Sequence, residues 1–143
     1  MARVLVVEDN CDVAHTLSVL LQICGHEVMA LDNGLAALSE AQRRLPDAVV
    51  LDIGLPSLDG IEVAWRLRHR YGQAVRLIAC TAYDDDSMQR RMTQAGFDVI
   101  FTKPAPADEL VESIGDSRIR RGDRVLGDRR RDRRDPVYEA GQP

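Results

Sequence analysis

The chain has 143 residues, 45% of them hydrophobic and 29% charged, with a formal net charge of −4. One domain of ordinary soluble composition fits those figures, and its length can bury a core without disulfides or a structural metal. No stretch approaches the roughly 18 apolar residues of a membrane span. The opening MARVLVVEDN lacks the regions of a secretory leader, so the expected location is the cytoplasm. The charge is uneven: residues 1–115 carry 17 acidic and 10 basic side chains, and residues 116–143 carry six and nine. Cys11, Cys24 and Cys80 fall within apolar patterns without metal-ligand spacing, and they are expected to be reduced, packed thiols.

Short β-rich apolar runs alternate with segments of helical period. Arg3 to Val7 is nearly continuous in apolar residues, as a strand buried on both faces should be. A helix is expected over Asp12–Cys24, with Val13, Leu17, Leu20, Leu21 and Cys24 on its apolar side and Gly25 as its stop. Glu27–Leu31 reads as the second strand and Asn33-Gly34 as a turn. Leu35–Arg44 reads as a helix with Leu35, Leu38 and Ala41 on one stripe, closed by Pro46. Ala48–Asp52 is the third strand, followed by the loop IGLPSLDG and a helix over Ile61–Arg70 that carries Val63, Trp65 and Leu67. Ala74–Cys80 is the fourth strand. A helix over Asp84–Ala95 opens on three aspartates, which suit a helix N-terminus, and ends at Gly96. Asp98–Thr102 is the fifth strand and Asp108–Ile114 a short last helix.

Five strands alternating with five helices imply an α/β fold: a doubly wound parallel sheet with helices on both faces. Ligands of such sheets sit at the carboxyl ends of the strands. At those ends stand Glu8 and Asp9, then Asp52, then Thr81 and Ala82, then Lys103, the only lysine in the chain. Taken singly, Asp9 or Asn10 reads as a helix cap, Asp52 as a turn residue, Thr81 as a cap and Lys103 as a surface charge. Taken together, three carboxylates, a hydroxyl and an ammonium at one edge read as a site. Crowded carboxylates need a cation, and hard oxygen ligands open to water favour Mg²⁺. A metal with a lysine beside it can stabilise a phosphoryl group in transfer, and a carboxylate can itself be the nucleophile. Lysine suits such a pocket as a compact point charge, where arginine is a wide fork.

These residues closely resemble the receiver domain of two-component response regulators. The likeness covers about residues 2 to 115 and rests on VLVVEDN, VVLDIGLPSLDG, IACTA and IFTKP, in that order and at those strand ends. It implies a flavodoxin-like sheet of strand order 2-1-3-4-5. It implies that Asp52 accepts a phosphoryl group from a histidine kinase or a histidine phosphotransfer protein. Mg²⁺ would be held by Glu8, Asp9, Asp52 and the backbone carbonyl of Gly54. Lys103 would pair with the phosphoryl oxygens, Thr81 would bond to them and carry the switch, and Ala82 would leave room for them. The Lys103-Pro104 bond is expected to be cis. On the same resemblance the domain is no enzyme beyond its own phosphorylation and dephosphorylation. It would signal through the face made by the fourth helix, fifth strand and fifth helix, to a protein target or to a second copy paired on phosphorylation.

Two positions depart from the family pattern. Three residues before the lysine, where a tyrosine or phenylalanine is usual, stands Ile100; Phe101 follows, on the opposite strand face. Two residues past Asp52 and Thr81 stand Gly54 and Tyr83, at positions that tune phosphoryl lifetime in the family. Residues 1–115 are thus expected to form the receiver. Residues 116–143, charged and nearly free of aromatics, are expected to form a disordered tail too short for a DNA-binding domain. His15, His26 and His69 have no phosphorelay context. The main alternatives are a receiver from the C-terminal part of a hybrid histidine kinase, which AGFDVIFTKP resembles, and a binding module that works without phosphate.

Overall fold

A computed structural model describes residues 1–83 and 85–115. The elements run β1 (Arg3–Val7), α1 (Cys11–Ile23), β2 (Glu27–Leu31), α2 (Gly34–Arg43), β3 (Ala48–Asp52), α3 (Gly60–Tyr71), a 3₁₀ turn (Gly72–Ala74), β4 (Arg76–Thr81), α4 (Asp86–Ala95), β5 (Val99–Thr102) and α5 (Ala107–Gly115). All strand pairs are parallel, and the sheet order is β2-β1-β3-β4-β5, the order the resemblance implies. The expected tail over 116–143 and Asp84 lie outside the described residues.

The period of two along each strand divides the core into two halves. Leu5, Val7, Val49, Leu51, Leu77 and Ile100 face one side with Val63, Leu67 and Met92. Val4, Val6, Val50, Ile78 and Phe101 face the other with Leu21, Leu110 and Ile114. Ile100 and Phe101 therefore do lie on opposite faces. The helices start where short polar side chains capture free amides: Asn10 accepts from Asp12 and Val13, Asn33 from Ala36, Asp59 from Glu62 and Asp85 from Met88. α1 and α4 stop at Gly25 and Gly96, both at positive φ.

Several burial expectations need correction. Cys11 and Cys24 are exposed and only Cys80 is buried. Val13 and Leu35 are exposed as well, since α1 turns Ala14 and Leu21 inward and α2 turns Ala37 and Ala41 inward. Trp65 also faces outward and stacks on His69, with ring centroids 4.8 Å apart. β4 begins at Arg76 rather than Ala74, because residues 72–74 form the 3₁₀ turn.

That turn is pinned by Arg68, a buried residue of α3. Its guanidinium donates to the Gly72, Val75 and Gly96 carbonyls and to Asp98 Oδ2, the last at 2.6 Å. Asp98 in turn accepts from the Leu77 N–H at 2.9 Å. One arginine thus ties the end of α3, the entry to β4 and the α4–β5 connection.

Candidate functional site

The carboxyl edge of the sheet is built from chain exits. After β1, the Glu8 N–H still donates to Leu31 O at 3.0 Å, which holds Glu8 in line with the sheet and leaves it buried. Asp9 follows in the exposed corner before the Asn10 cap. After β3, Asp52 stands at the rim with its side chain 12% exposed. The next helix begins against it: the Gly60 N–H donates to Ile53 O at 3.0 Å. A Cβ on Gly60 would sit 2.4 Å from Asp52 O and 2.8 Å from Ile53 Cα, so only glycine permits this approach. Glu8, Asp9 and Asp52 each bring a carboxylate oxygen to within 4.8 Å of the others.

Lys103 closes the cluster. Its N–H donates to Thr81 O at 2.7 Å, which anchors it to the end of β4, and its bond to Pro104 is cis, as expected. Nζ lies 3.0 Å from Glu8 Oε1 and 3.4 Å from Asp52 Oδ1. Burial pushes the Glu8 carboxyl up, and it stays above its ordinary value despite the Lys103 hydrogen bond. Burial pulls the Lys103 ammonium down, but the Glu8 hydrogen bond and the Asp52 charge outweigh it, so its value is raised. Both directions describe an acidic pocket whose internal cation is held firmly charged.

The other expected residues lie around this core of four. The Gly54 N–H donates to Asp52 Oδ1 at 3.2 Å, and Gly54 is exposed. Thr81 is fully buried, its Oγ1 accepting from the Tyr83 N–H at 3.0 Å. Ala82 is exposed beside it. Cys80 is the β4 partner of Asp52 in the sheet. Burial pushes its thiol up to about 12, so no thiolate competes with the carboxylates at neutral pH. The carboxylates supply hard oxygens, buried at Glu8 and exposed at Asp9, and this set fits a hard divalent cation that keeps part of its water shell. Sequence reasoning missed Gly60, Arg68 and a buried glutamine, Gln89. Gly60 had a signal, a glycine closing the loop after Asp52, whereas Arg68 and Gln89 read as ordinary polar helix residues.

Fold and site together define a flavodoxin-like α/β domain with an acidic, lysine-bearing cluster at the carboxyl edge of its sheet. The family model for the response regulator receiver domain matches residues 4–115, and the chain belongs to that family, the receivers of two-component signalling. It is 37% identical over 141 residues to the sensory transduction protein RegX3 of Mycobacterium tuberculosis, covering 99% of this chain and 59% of that protein. It is 33% identical over 116 residues to the sensor histidine kinase GacS of Pseudomonas protegens, covering 78% of this chain and 13% of the kinase. The chain thus spans less than two thirds of either relative. Among solved structures, the Francisella response regulator 1452 receiver domain superposes with a TM-score of 0.75 at 26% identity, over 80% of this chain and 93% of that one. No helix among the described residues is long and apolar enough to cross a membrane.

Proposed function

We propose that the chain is a phospho-acceptor in which Asp52 takes a phosphoryl group from a phosphohistidine on a histidine kinase or phosphotransfer protein. The observation that carries this reading is the cluster itself: three carboxylates within 4.8 Å of one another, two of them touched by the only lysine of the chain. An Asp52 oxygen forms the new P–O bond while the P–N bond to the donor imidazole breaks, leaving an aspartyl phosphate. Lys103, anchored to β4 and already beside Asp52, places its ammonium against the incoming phosphoryl oxygens. The Gly54 N–H orients the Asp52 carboxylate. Exposed Ala82 leaves space at the rim, and Thr81 has the hydroxyl that can donate to a phosphoryl oxygen. Glu8, Asp9, Asp52 and the Gly54 carbonyl would hold Mg²⁺, which neutralises charge on the phosphoryl group when bound. Output passes through the face of α4, β5 and α5.

The test is incubation of the chain with Mg²⁺ and acetyl phosphate or phosphoramidate, followed by intact-mass measurement. The expected result is an adduct of about 80 Da, labile as an acyl phosphate and absent from Asp52→Asn. No adduct on the parent protein would sink the reading and favour a phosphate-independent binding module; an adduct that survives Asp52→Asn would move the acceptor elsewhere. A second reading, a receiver working as part of a larger kinase, draws support from the likeness to GacS, of which this chain spans 13%. Phosphotransfer rates from a panel of purified kinases separate the two, since a receiver of a hybrid kinase takes phosphate fastest from its own kinase core.

A further inference from the structure

Helix α4 packs Gln89, Met92 and Ala95 inward. Gln89 is the one polar side chain of that row, and it is only 2% exposed. Its Nε2 donates a long hydrogen bond, 3.5 Å, to Tyr83 O. Because Tyr83 O is an acceptor, only the amide nitrogen can face it, which fixes the orientation of the amide. The other amide atom, Oε1, is buried and has no hydrogen-bond partner among the described residues. Tyr83 itself donates its N–H to Thr81 Oγ1 at 3.0 Å. Thr81, Tyr83 and Gln89 thus form a continuous polar chain from the carboxyl edge of β4 to the inner face of α4. Across the same core the neighbouring strand offers Ile100, fully buried, whose side chain can neither donate nor accept a hydrogen bond.

We infer that Gln89 is a positioning residue that couples the state of Thr81 to α4, and that its vacant Oε1 is the acceptor through which the coupling runs. The inference rests on the reading of Asp52 as acceptor and of Thr81 as the hydroxyl that meets the phosphoryl group. When Thr81 swings its hydroxyl toward the phosphoryl oxygens, the Tyr83 N–H loses its acceptor. The freed Tyr83 N–H then needs a new acceptor, and the buried Gln89 Oε1, unfavourably without a donor in the resting state, can supply it. Transfer of the Tyr83 N–H from Thr81 Oγ1 to Gln89 Oε1 meets both needs at once. It draws the turn after β4 onto α4. Phosphorylation is thereby reported to α4 by an amide on the helix, with no aromatic side chain required on β5.

The experiment is NMR of the full chain loaded with Mg²⁺ and beryllofluoride, which stands in for the phosphoryl group, compared with Gln89→Leu. In the parent, amide shifts should change from Thr81 through Met92, and a hydrogen-bond scalar coupling should appear between the Tyr83 amide nitrogen and the Gln89 side-chain carbonyl carbon. In Gln89→Leu, the changes at Asp52 and Thr81 should persist while those within α4 fall to a third or less. A merely structural glutamine would shift the resting spectrum without separating these two sets. Equal α4 responses in parent and variant would overturn the inference, as would absence of the scalar coupling in the loaded parent, a measurement that stands even if the variant does not fold. If the parent takes neither beryllofluoride nor phosphate, the acceptor reading fails first, and a normal adduct with an unchanged α4 response is a different and distinguishable result.

Discussion

Asp9→Asn is expected to reverse its effect on stability when Mg²⁺ is added. Asp9 meets two carboxylates, Glu8 and Asp52, each with an oxygen within 4.8 Å, and the one ammonium of Lys103 sits between those two. The net is one like-charge neighbour, and at 4.8 Å in a water-like dielectric the repulsion is about 0.9 kcal/mol. Salt at 0.1 M trims this to about 0.5 kcal/mol. The metal-free variant should therefore unfold about 2 °C above the parent. With Mg²⁺ the parent gains about 2.7 kcal/mol at a hundredfold excess over its Kd, while the variant, short of a charged ligand, gains much less. The two thermal midpoints should cross within one Mg²⁺ titration, followed by circular dichroism in chelator-treated buffer. A variant less stable than the parent without metal, or a gap that Mg²⁺ leaves unchanged, would refute both the repulsion and the ligand role.

Arg68→Met leaves Asp98 buried without its cation and strips donors from the Gly72, Val75 and Gly96 carbonyls; a loss of about 3–5 kcal/mol is expected, read as a urea midpoint lower by about 2 M. Gly60→Ala must push α3 away from the Asp52 carbonyl, costing about 1–3 kcal/mol and slowing phosphorylation by acetyl phosphate about tenfold through misplacement of the carboxylate. Lys103, raised above 10.5 when folded, contributes stability that is present below that pH and lost as pH rises through the folded value. The stability difference between parent and Lys103→Met should accordingly shrink between pH 10 and 12 in urea titrations, and a difference that grows there would contradict the raised value.

The strands and the site edge were legible because buried parallel strands write their own boundaries. VLVV and AVVL are apolar to the last residue and then break to Glu8 and at Asp52, so the polar residues at the carboxyl edge announce themselves. Helix faces were harder. α1 has apolar residues around most of its circumference; the periodicity put Leu21 inside, as observed, but did not show that Ala14 turns inward while Val13 and Cys24 stay outside. The start of β4 was misplaced by the same kind of ignorance: Ala74 and Val75 look like strand, but a guanidinium from α3 draws the carbonyls of Gly72 and Val75 to itself and delays the strand to Arg76. Buried polar groups such as Arg68 and Gln89 carry no local mark that distinguishes them from solvated ones, since their burial depends on how their helices pack and, for Arg68, on partners at Gly96 and Asp98 some 28 to 30 residues away.

The contact between Lys103 and Glu8 joins residues 95 positions apart. Between them the chain must lay down β3 and β4 in register, because Lys103 is hung from Thr81 and Asp52 is placed by its pairing with Cys80. Such long-range closure carries a loop-closure entropy cost that the strand pairing between the two residues must offset. A chain emerging from the ribosome lacks its lysine until its fifth strand is made, and a chain with β5 detached has three carboxylates but no cation of its own. On the role proposed for Lys103, competence to accept a phosphoryl group comes only with the finished sheet, and an incompletely folded copy is mute rather than wrongly active.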